Sequence, residues 1–288
     1  MAESEEREDQ GPPTVVRGEG VGRIYKRWLG HAETALTGFD LELRPGESVA
    51  MLGPNGAGKS TALRLIVGID RPDRGEIRLF GKPPADPETR RRLAYLPDGS
   101  ELFPFLDARE TLDFFARVHG LSREERERRY AEIAEPLGVL SFGKKRTRAY
   151  SLGMRRRLGL AVVLLGRPEL LVMDEPTSGL DPAGMELFVR VVKAERARGC
   201  ALLFSSHHVE RLEEVASRVL VLHRGLTVFR GTVSELAGKM SEREVAIGGL
   251  TDDGWAALRA EVESAGGRWG PEGLSRTALA RWLDGLES

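Results

Sequence analysis

Gly53-Pro-Asn-Gly-Ala-Gly-Lys-Ser-Thr61 decides how the rest of the chain is read. Ahead of it runs the short apolar stretch Ala50 to Leu52, and from Lys59 onward apolar residues recur at helical spacing. A strand that turns through GxxxxGK[ST] into a helix is the pattern of a phosphate cradle. Glycine is needed because the backbone must curl tightly and turn its N–H groups toward an anion. A side chain at Gly56 or Gly58 is expected to occupy that space. The helix starting near Lys59 adds the positive end of its dipole. Gly53, Pro54, Asn55, Gly56, Ala57, Gly58, Lys59, Ser60 and Thr61 are therefore predicted to enclose the phosphates of a nucleoside triphosphate. Lys59 places an ammonium on the β- and γ-phosphates, and the Ser60 hydroxyl is a ligand for Mg²⁺. An ordinary glycine-rich turn would not need every fixed position filled between a strand and a helix.

The second half of such a site is Leu170-Leu-Val-Met-Asp174-Glu175. Four apolar residues make a buried strand, and two carboxylates emerge at its C-terminal end, where open α/β sheets bind ligands. Asp174 is expected to hold Mg²⁺ through water, and Glu175 to orient and polarise the attacking water. Alone, an acidic pair at a strand end is commonplace. With a complete phosphate loop upstream it reads as catalytic.

Around these two segments, short strands alternate with helical patterns. Leu170 to Met173 precedes a helix over Pro182 to Arg198, and Ala201 to Phe204 precedes one near Val209 to Ala216. The fold class is therefore predicted as α/β, with a mainly parallel sheet covered by helices on both faces. Thr14 to Tyr25, Leu41 to Leu43 and Ser48 to Leu52 read as extended, the last two parted by a Pro45-Gly46 turn, and the first of them suggest an N-terminal antiparallel β region. From about 98 to 165 the strand signals vanish. Arg109 to Val118, Ser122 to Leu137 and Leu152 to Leu165 read as helices, so a helical insertion interrupts the sheet. Ser122 and Glu125 have the spacing of a capping box, and Arg126 to Arg129 reads as a solvated face.

Residues 1–13 are charged and aperiodic and read as a disordered acidic tail. Residues 14–240 form the expected main domain, and 241–288 a small C-terminal appendage. Within the appendage, Glu242 to Ile247 suits a strand, and Trp255 to Ala265 and Arg276 to Leu286 suit amphipathic helices.

Composition bounds the function. The 288 residues are enough for a large core, and 43 Lys plus Arg against 44 Asp plus Glu leave a net charge of -1. Nucleic-acid binding through bulk electrostatics is therefore not expected. The single cysteine, Cys200, excludes an internal disulfide and fits a reducing compartment. The most apolar stretch, Leu158 to Gly166, is about half the length a bilayer requires, and the N-terminus has no signal-peptide pattern. A cytoplasmic protein is expected.

The segments between and beyond the two phosphate-site motifs closely resemble the ATP-binding subunits of ABC transporters, over roughly residues 14–240. Tyr150-Ser-Leu-Gly-Met-Arg155 stands where that family carries its signature, usually LSGGQ, with Leu152 in place of the first Gly and Met154 in place of Gln. This form is similar to the branch that partners ABC-2-type export permeases. The resemblance implies that Ser151 and Gly153, at a helix N-terminus, cap the γ-phosphate of an ATP held by a second subunit. Ser178-Gly-Leu-Asp181 matches the D-loop, and His207 matches the switch histidine that contacts the γ-phosphate and the attacking water. Asp98 stands where the family usually has Gln. Being one carbon shorter, it is expected to reach Mg²⁺ through a water. Adenine would stack on an aromatic upstream of the phosphate loop; Tyr25 matches best, with Trp28 as its competitor.

The resemblance also implies partners: a second copy facing the first, and a separate integral-membrane permease that holds the subunit at the inner face of the membrane. Leu102-Phe-Pro-Phe-Leu106 and Phe114-Phe115 are either core of the insertion or a permease-docking surface, and at least one of Phe103 and Phe105 is expected to be exposed. Arg155 to Arg157 could contact nucleotide or permease, but reads first as a solvated helix face. The competing reading is a soluble ABC-type ATPase that acts on a macromolecule. It would ordinarily bring paired ATPase domains or long coiled coils, which this chain does not display.

Overall fold

The computed structural model describes residues 14–26, 32–99, 102–206, 211–236, 269–270 and 273–274. The chain begins with β1 (Val16–Lys26) and β2 (Ala32–Leu43), which pair antiparallel. Next, β3 (Ser48–Leu52) enters the phosphate loop and α1 (Lys59–Ile66) leaves it. The chain then forms β4 (Arg74–Leu79), which pairs antiparallel with the free side of β1. These three outer strands form one sheet, in the order β2-β1-β4.

The main sheet, to which β3 already belongs, gains its edge strand β5 (Leu93–Leu96) after α2 (Pro87–Arg92), whose first turn is held by the Asp86 cap and a Pro. A helical stretch follows: α3 (Ala108–Val118), α4 (Arg123–Arg129) and α5 (Leu152–Leu164). The chain returns through β6 (Leu170–Met173), α6 (Pro182–Ala197), β7 (Ala201–Ser206), α7 (Leu212–Val215), β8 (Arg218–His223) and β9 (Leu226–Thr232). The order is β5-β6-β7-β3-β8-β9, parallel throughout except where β9 folds back on β8. Arg224 and Gly225 both have positive φ at that hairpin, the conformation in which a two-residue turn matches strand twist.

The central strands β3, β6 and β7 are buried along their length because both faces are covered, and the two-residue period sorts the sheet's apolar side chains into two cores. Ala50, Leu52, Leu171, Met173, Leu202, Phe204, Val219 and Val221 pack with α3, α5 and α6. Val49, Met51, Leu170, Val172, Ala201, Leu203, Leu220 and Leu222 pack with α1 and the outer sheet. The α/β class, the mainly parallel sheet, the antiparallel N-terminal region and the helical insertion are all present.

Local boundaries differ for identifiable reasons. Leu41 to Leu43 is the end of a 12-residue strand whose first half is mostly exposed and so carries no apolar alternation. The strand β4 shows buried alternation only in its last residues and was not read from the sequence. Ser122 to Leu137 is not one α-helix: α4 ends at Arg129 and a π turn follows at Tyr130–Ala134. There the Arg129 guanidinium, buried rather than solvated, bonds the carbonyls of Leu164 and Leu165 at the end of α5. The helix near Val209 to Ala216 is described only as Leu212–Val215. The acidic tail, and the expected elements at Glu242 to Ile247, Trp255 to Ala265 and Arg276 to Leu286, lie outside the described residues. In the C-terminal region, Trp269–Gly270 and Gly273–Leu274 form a short antiparallel pair. No helix among the described residues is long and apolar enough to cross a membrane.

Candidate nucleotide site

Parallel order brings the C-terminal ends of β3, β7 and β6 to one edge. Leu52 pairs with Ser206 and Met173 with Phe204, so the carboxylates that follow β6 lie two strands from the phosphate loop. The loop itself is clamped by backbone on two sides. Gly53 has φ 146°, and a Cβ there would sit 2.2 Å from the Leu222 carbonyl oxygen. Gly58 has φ 103°, and a Cβ there would sit 2.5 Å from the carbonyl oxygen of Ala35. At Gly56 a Cβ would meet nothing within 4 Å, so its φ of 80°, not crowding, calls for glycine. The loop thus needs its glycines for reasons that differ from position to position.

Lys59 is 6% exposed. Its Nζ donates to the Gly53 and Pro54 carbonyls, at 2.5 and 3.2 Å, and lies 3.6 Å from Glu175 Oε1. Burial lowers its pKa, and the charges of Glu175 and Asp174 oppose that shift. An anion entering the loop would find a nearly dehydrated ammonium already in place. Glu175 has φ 46°, in the left-handed region that non-glycine residues seldom adopt. Its N–H donates to Ser205 Oγ at 2.8 Å, and the same hydroxyl donates to Asp174 Oδ1 at 2.5 Å.

A cavity of ≈ 630 Å³ opens over the loop. It is lined by Pro54, Asn55, Gly56, Gly58, Lys59, Ser60 and Thr61, together with Tyr25, Glu33, Thr34, Ala35, Arg64, Asp98 and Glu175. Its volume suits a ligand of nucleotide size. Tyr25 is anchored at the rim: its hydroxyl donates to Asp70 Oδ2 at 2.9 Å, and Arg64 bonds the same carboxylate. The Arg23 guanidinium lies 4.8 Å from the centroid of the Tyr25 ring. Trp28 and His207 lie outside the described residues.

Asp98 reaches the cavity but is held by Arg156, whose Nη2 donates to Asp98 Oδ1 at 2.6 Å. Arg156 is only 3% exposed, and Arg157 lies over the Phe142 ring, so the run Arg155 to Arg157 is not the solvated face its charges suggested. One turn of α5 directs the middle guanidinium inward, toward Pro97 and Asp98.

Ser151, Gly153 and Asp181 do not line the cavity of their own chain. The Ser151 hydroxyl caps α5 by accepting the Met154 N–H, and the Asp181 carboxylate caps α6 by accepting the Gly184 N–H. The start of α5 touches the loop that leads into α6: a Cβ at Gly179 would lie 2.3 Å from Leu152 Cδ2, and one at Gly153 would lie 3.2 Å from the Gly179 carbonyl. Beside this junction, Phe103 and Phe105 are 37% and 65% exposed, as expected of at least one of them, and their rings cluster with Phe114. Among the described residues, no group of three or more His, Cys, Asp or Glu is placed to hold a metal unaided.

Two residues of the site, Ser205 and the inward-turned Arg156, are not marked by any motif in the sequence. A signal for Ser205 was present: Ala201 and Leu203 alternate into one core, and a hydroxyl at the next position of that phase is out of keeping. Arg156 had no such signal, because a charged run looks the same whether or not one member turns inward.

Phosphate loop, buried lysine and paired carboxylates at the strand ends define a P-loop nucleoside-triphosphate-binding protein. Residues 36–178 match the ABC transporter family. The chain is 31% identical to an uncharacterized ABC transporter ATP-binding protein of Synechocystis sp., over 91% of this chain and 76% of that one. It is 30% identical to the linearmycin resistance ATP-binding protein LnrL of Bacillus subtilis, over 85% and 79%. With Nod factor export ATP-binding protein I of Paraburkholderia xenovorans it shares 37% identity, over 71% and 68%. Among solved structures it is similar to an ATP-binding subunit of an ABC transporter, with TM-score 0.71 and 28% identity, over 85% of this chain and 99% of that one. It is also similar to a dimeric ATP-binding cassette in a post-hydrolysis state bound to ADP and Pi, with TM-score 0.69 and 25% identity, over 76% and 98%. The chain belongs to the ABC transporter ATP-binding proteins, and it is an ATP-binding ATPase.

Proposed function

We propose that the protein is the ATPase subunit of an exporter: two copies close on ATP, and the closure drives a separate integral-membrane permease. The observation that carries this reading is the separation of its two half-sites: Ser151 and Gly153 do not line the cavity over the phosphate loop. Ser151 and Gly153 present a helix N-terminus away from the cavity that holds Lys59, so a nucleotide in one copy's loop is capped only by another copy. The relatives named for Nod factor export and for linearmycin resistance support the direction of transport. The dimeric cassette with ADP and Pi supports pairing.

Each site residue then has a role. Lys59 and the amides of 53–61 bind the β- and γ-phosphates, and Tyr25 supplies the platform for adenine. The Glu175 carboxylate takes a proton from water as the water oxygen attacks the γ-phosphorus. The bond to the β–γ bridging oxygen breaks, leaving ADP and phosphate. His207 contacts the γ-phosphate, and Asp181 lies at the contact with the second copy. Ser60 and Asp174, with Asp98 through a water, suit Mg²⁺. All three are hard oxygen donors, the kind that Mg²⁺ prefers. An ion held by these residues would supply positive charge against the negative charge that develops on the phosphates. Residues 14–240 are the ATPase domain, 98–165 its helical insertion, and 241–288 an appendage. The exposed phenylalanines of the insertion are the docking surface for the permease, which holds the subunit at the inner face of the membrane.

Sedimentation of Glu175→Gln with Mg-ATP tests the pairing. A dimer with ATP and a monomer without it is expected; a monomer at high protein concentration with saturating ATP overturns it. Co-purification from detergent extracts tests the partner: a multi-span protein supports export, whereas ribosomes or DNA would move the function to a soluble role.

A further inference from the structure

We infer that Ser205 is a positioning residue for hydrolysis, one hydroxyl that holds Asp174 and Glu175 in their working geometry. The inference rests on the roles proposed above for those two carboxylates. Ser205 sits on β7, between the phosphate-loop strand β3 and the carboxylate strand β6, opposite Met51. It is 0% exposed. A buried hydroxyl without partners is costly, and its neighbours in phase, Ala201 and Leu203, are apolar. The residue at 205 therefore has to offer something an alkyl side chain cannot.

It offers a donor and an acceptor on one atom. As donor, Oγ bonds Asp174 Oδ1 at 2.5 Å and fixes the rotation of that carboxylate. As acceptor, it bonds the Glu175 N–H at 2.8 Å. Glu175 holds φ 46°, a conformation that costs energy and persists only where neighbours enforce it. From that turn its carboxylate reaches to 3.6 Å from the Lys59 ammonium. Without the hydroxyl, Asp174 can rotate and Glu175 can relax toward ordinary backbone, each carrying its carboxylate off position. Alanine and valine supply neither bond, and cysteine supplies weak versions of both. Nucleotide binding should be spared, because Lys59 and the loop amides do not depend on Ser205.

The test uses the full chain with Ser205→Ala, Ser205→Cys and Glu175→Gln. For Ser205→Ala, kcat should fall about tenfold or more, while KM for ATP and the dissociation constant of a fluorescent ATP analogue measured without Mg²⁺ stay within about twofold. Mn²⁺ affinity of the complex with a non-hydrolysable ATP analogue, read by electron paramagnetic resonance, should weaken by about threefold or more, with Ser205→Cys intermediate in both. If the alanine variant does not fold, the cysteine variant carries the same comparison. A kcat within twofold of the unmodified protein overturns the inference, as does an unchanged Mn²⁺ affinity or a KM that rises in step with the loss of kcat. Glu175→Gln separates the two levels. If it too retains full turnover, the assignment of the carboxylates falls; if it loses turnover while Ser205→Ala does not, only the role of Ser205 falls.

Discussion

Glu175 and Lys59 face each other at 3.6 Å across the floor of the cavity, and both are largely shielded from solvent. Glu175→Gln keeps the shape and removes the base. It should lower kcat by roughly 100-fold or more while ATP affinity, by equilibrium titration, changes little. Tyr25 acts on the other side of the balance. Removing its ring with Tyr25→Ala gives up the stacking surface and should raise KM for ATP about tenfold with little change in kcat. Tyr25→Phe loses only the hydrogen bond to Asp70 and should fall between. Steady-state kinetics over a range of ATP concentrations distinguishes the two patterns.

Elements hold these residues by backbone fit as much as by side chains. The phosphate loop passes under the Ala35 carbonyl on one side and the Leu222 carbonyl on the other, and the Gly225 N–H donates to the Ala57 carbonyl. Gly58→Ala, strained in φ and within 2.5 Å of an oxygen, should cost about 1–3 kcal/mol and lower the melting temperature by several degrees. Calorimetry reads the first effect, and an ATP titration should show binding lost. Cys200, buried at the entrance to β7, has its thiol pushed up to about 12. At pH 8 a disulfide reagent should label it only after denaturation. Linkage gives a second readout. Between about pH 9, where the unfolded thiol ionises, and about pH 12, the folded chain keeps a proton that the unfolded chain releases. This thiol therefore lowers stability as pH rises through that interval.

At the scale of the whole molecule, the proposed function divides catalysis between the cavity of one copy and the Ser151 helix start of another, which does not line its own chain's cavity. The cavity offers the loop, the base and the aromatic rim; the start of α5, with Leu152 pressed against the 178–181 loop, lies outside it. That contact joins the start of α5 to the segment just after Glu175. Under the proposed division of catalysis, specific activity should rise with protein concentration. A steady rate per molecule on dilution well below the dimer dissociation constant, measured by a coupled assay, would contradict the division of labour.

The sequence by itself determined the phosphate loop, the carboxylate strand and the alternation that makes a parallel sheet. Each is written in contiguous residues whose chemistry is local: glycines that permit a curl, a lysine one turn into a helix, four apolar positions ending in acid. Only the tertiary structure decided the rest. Ser205 meets Asp174 and Glu175 across a strand pairing some thirty residues apart in sequence, Arg156 turns inward to Asp98 from a run of three like charges, and Asp70 anchors Tyr25 from another element. Such bonds depend on strand order and helix phase, which are set by how two apolar faces are buried, and no short window of sequence contains that information.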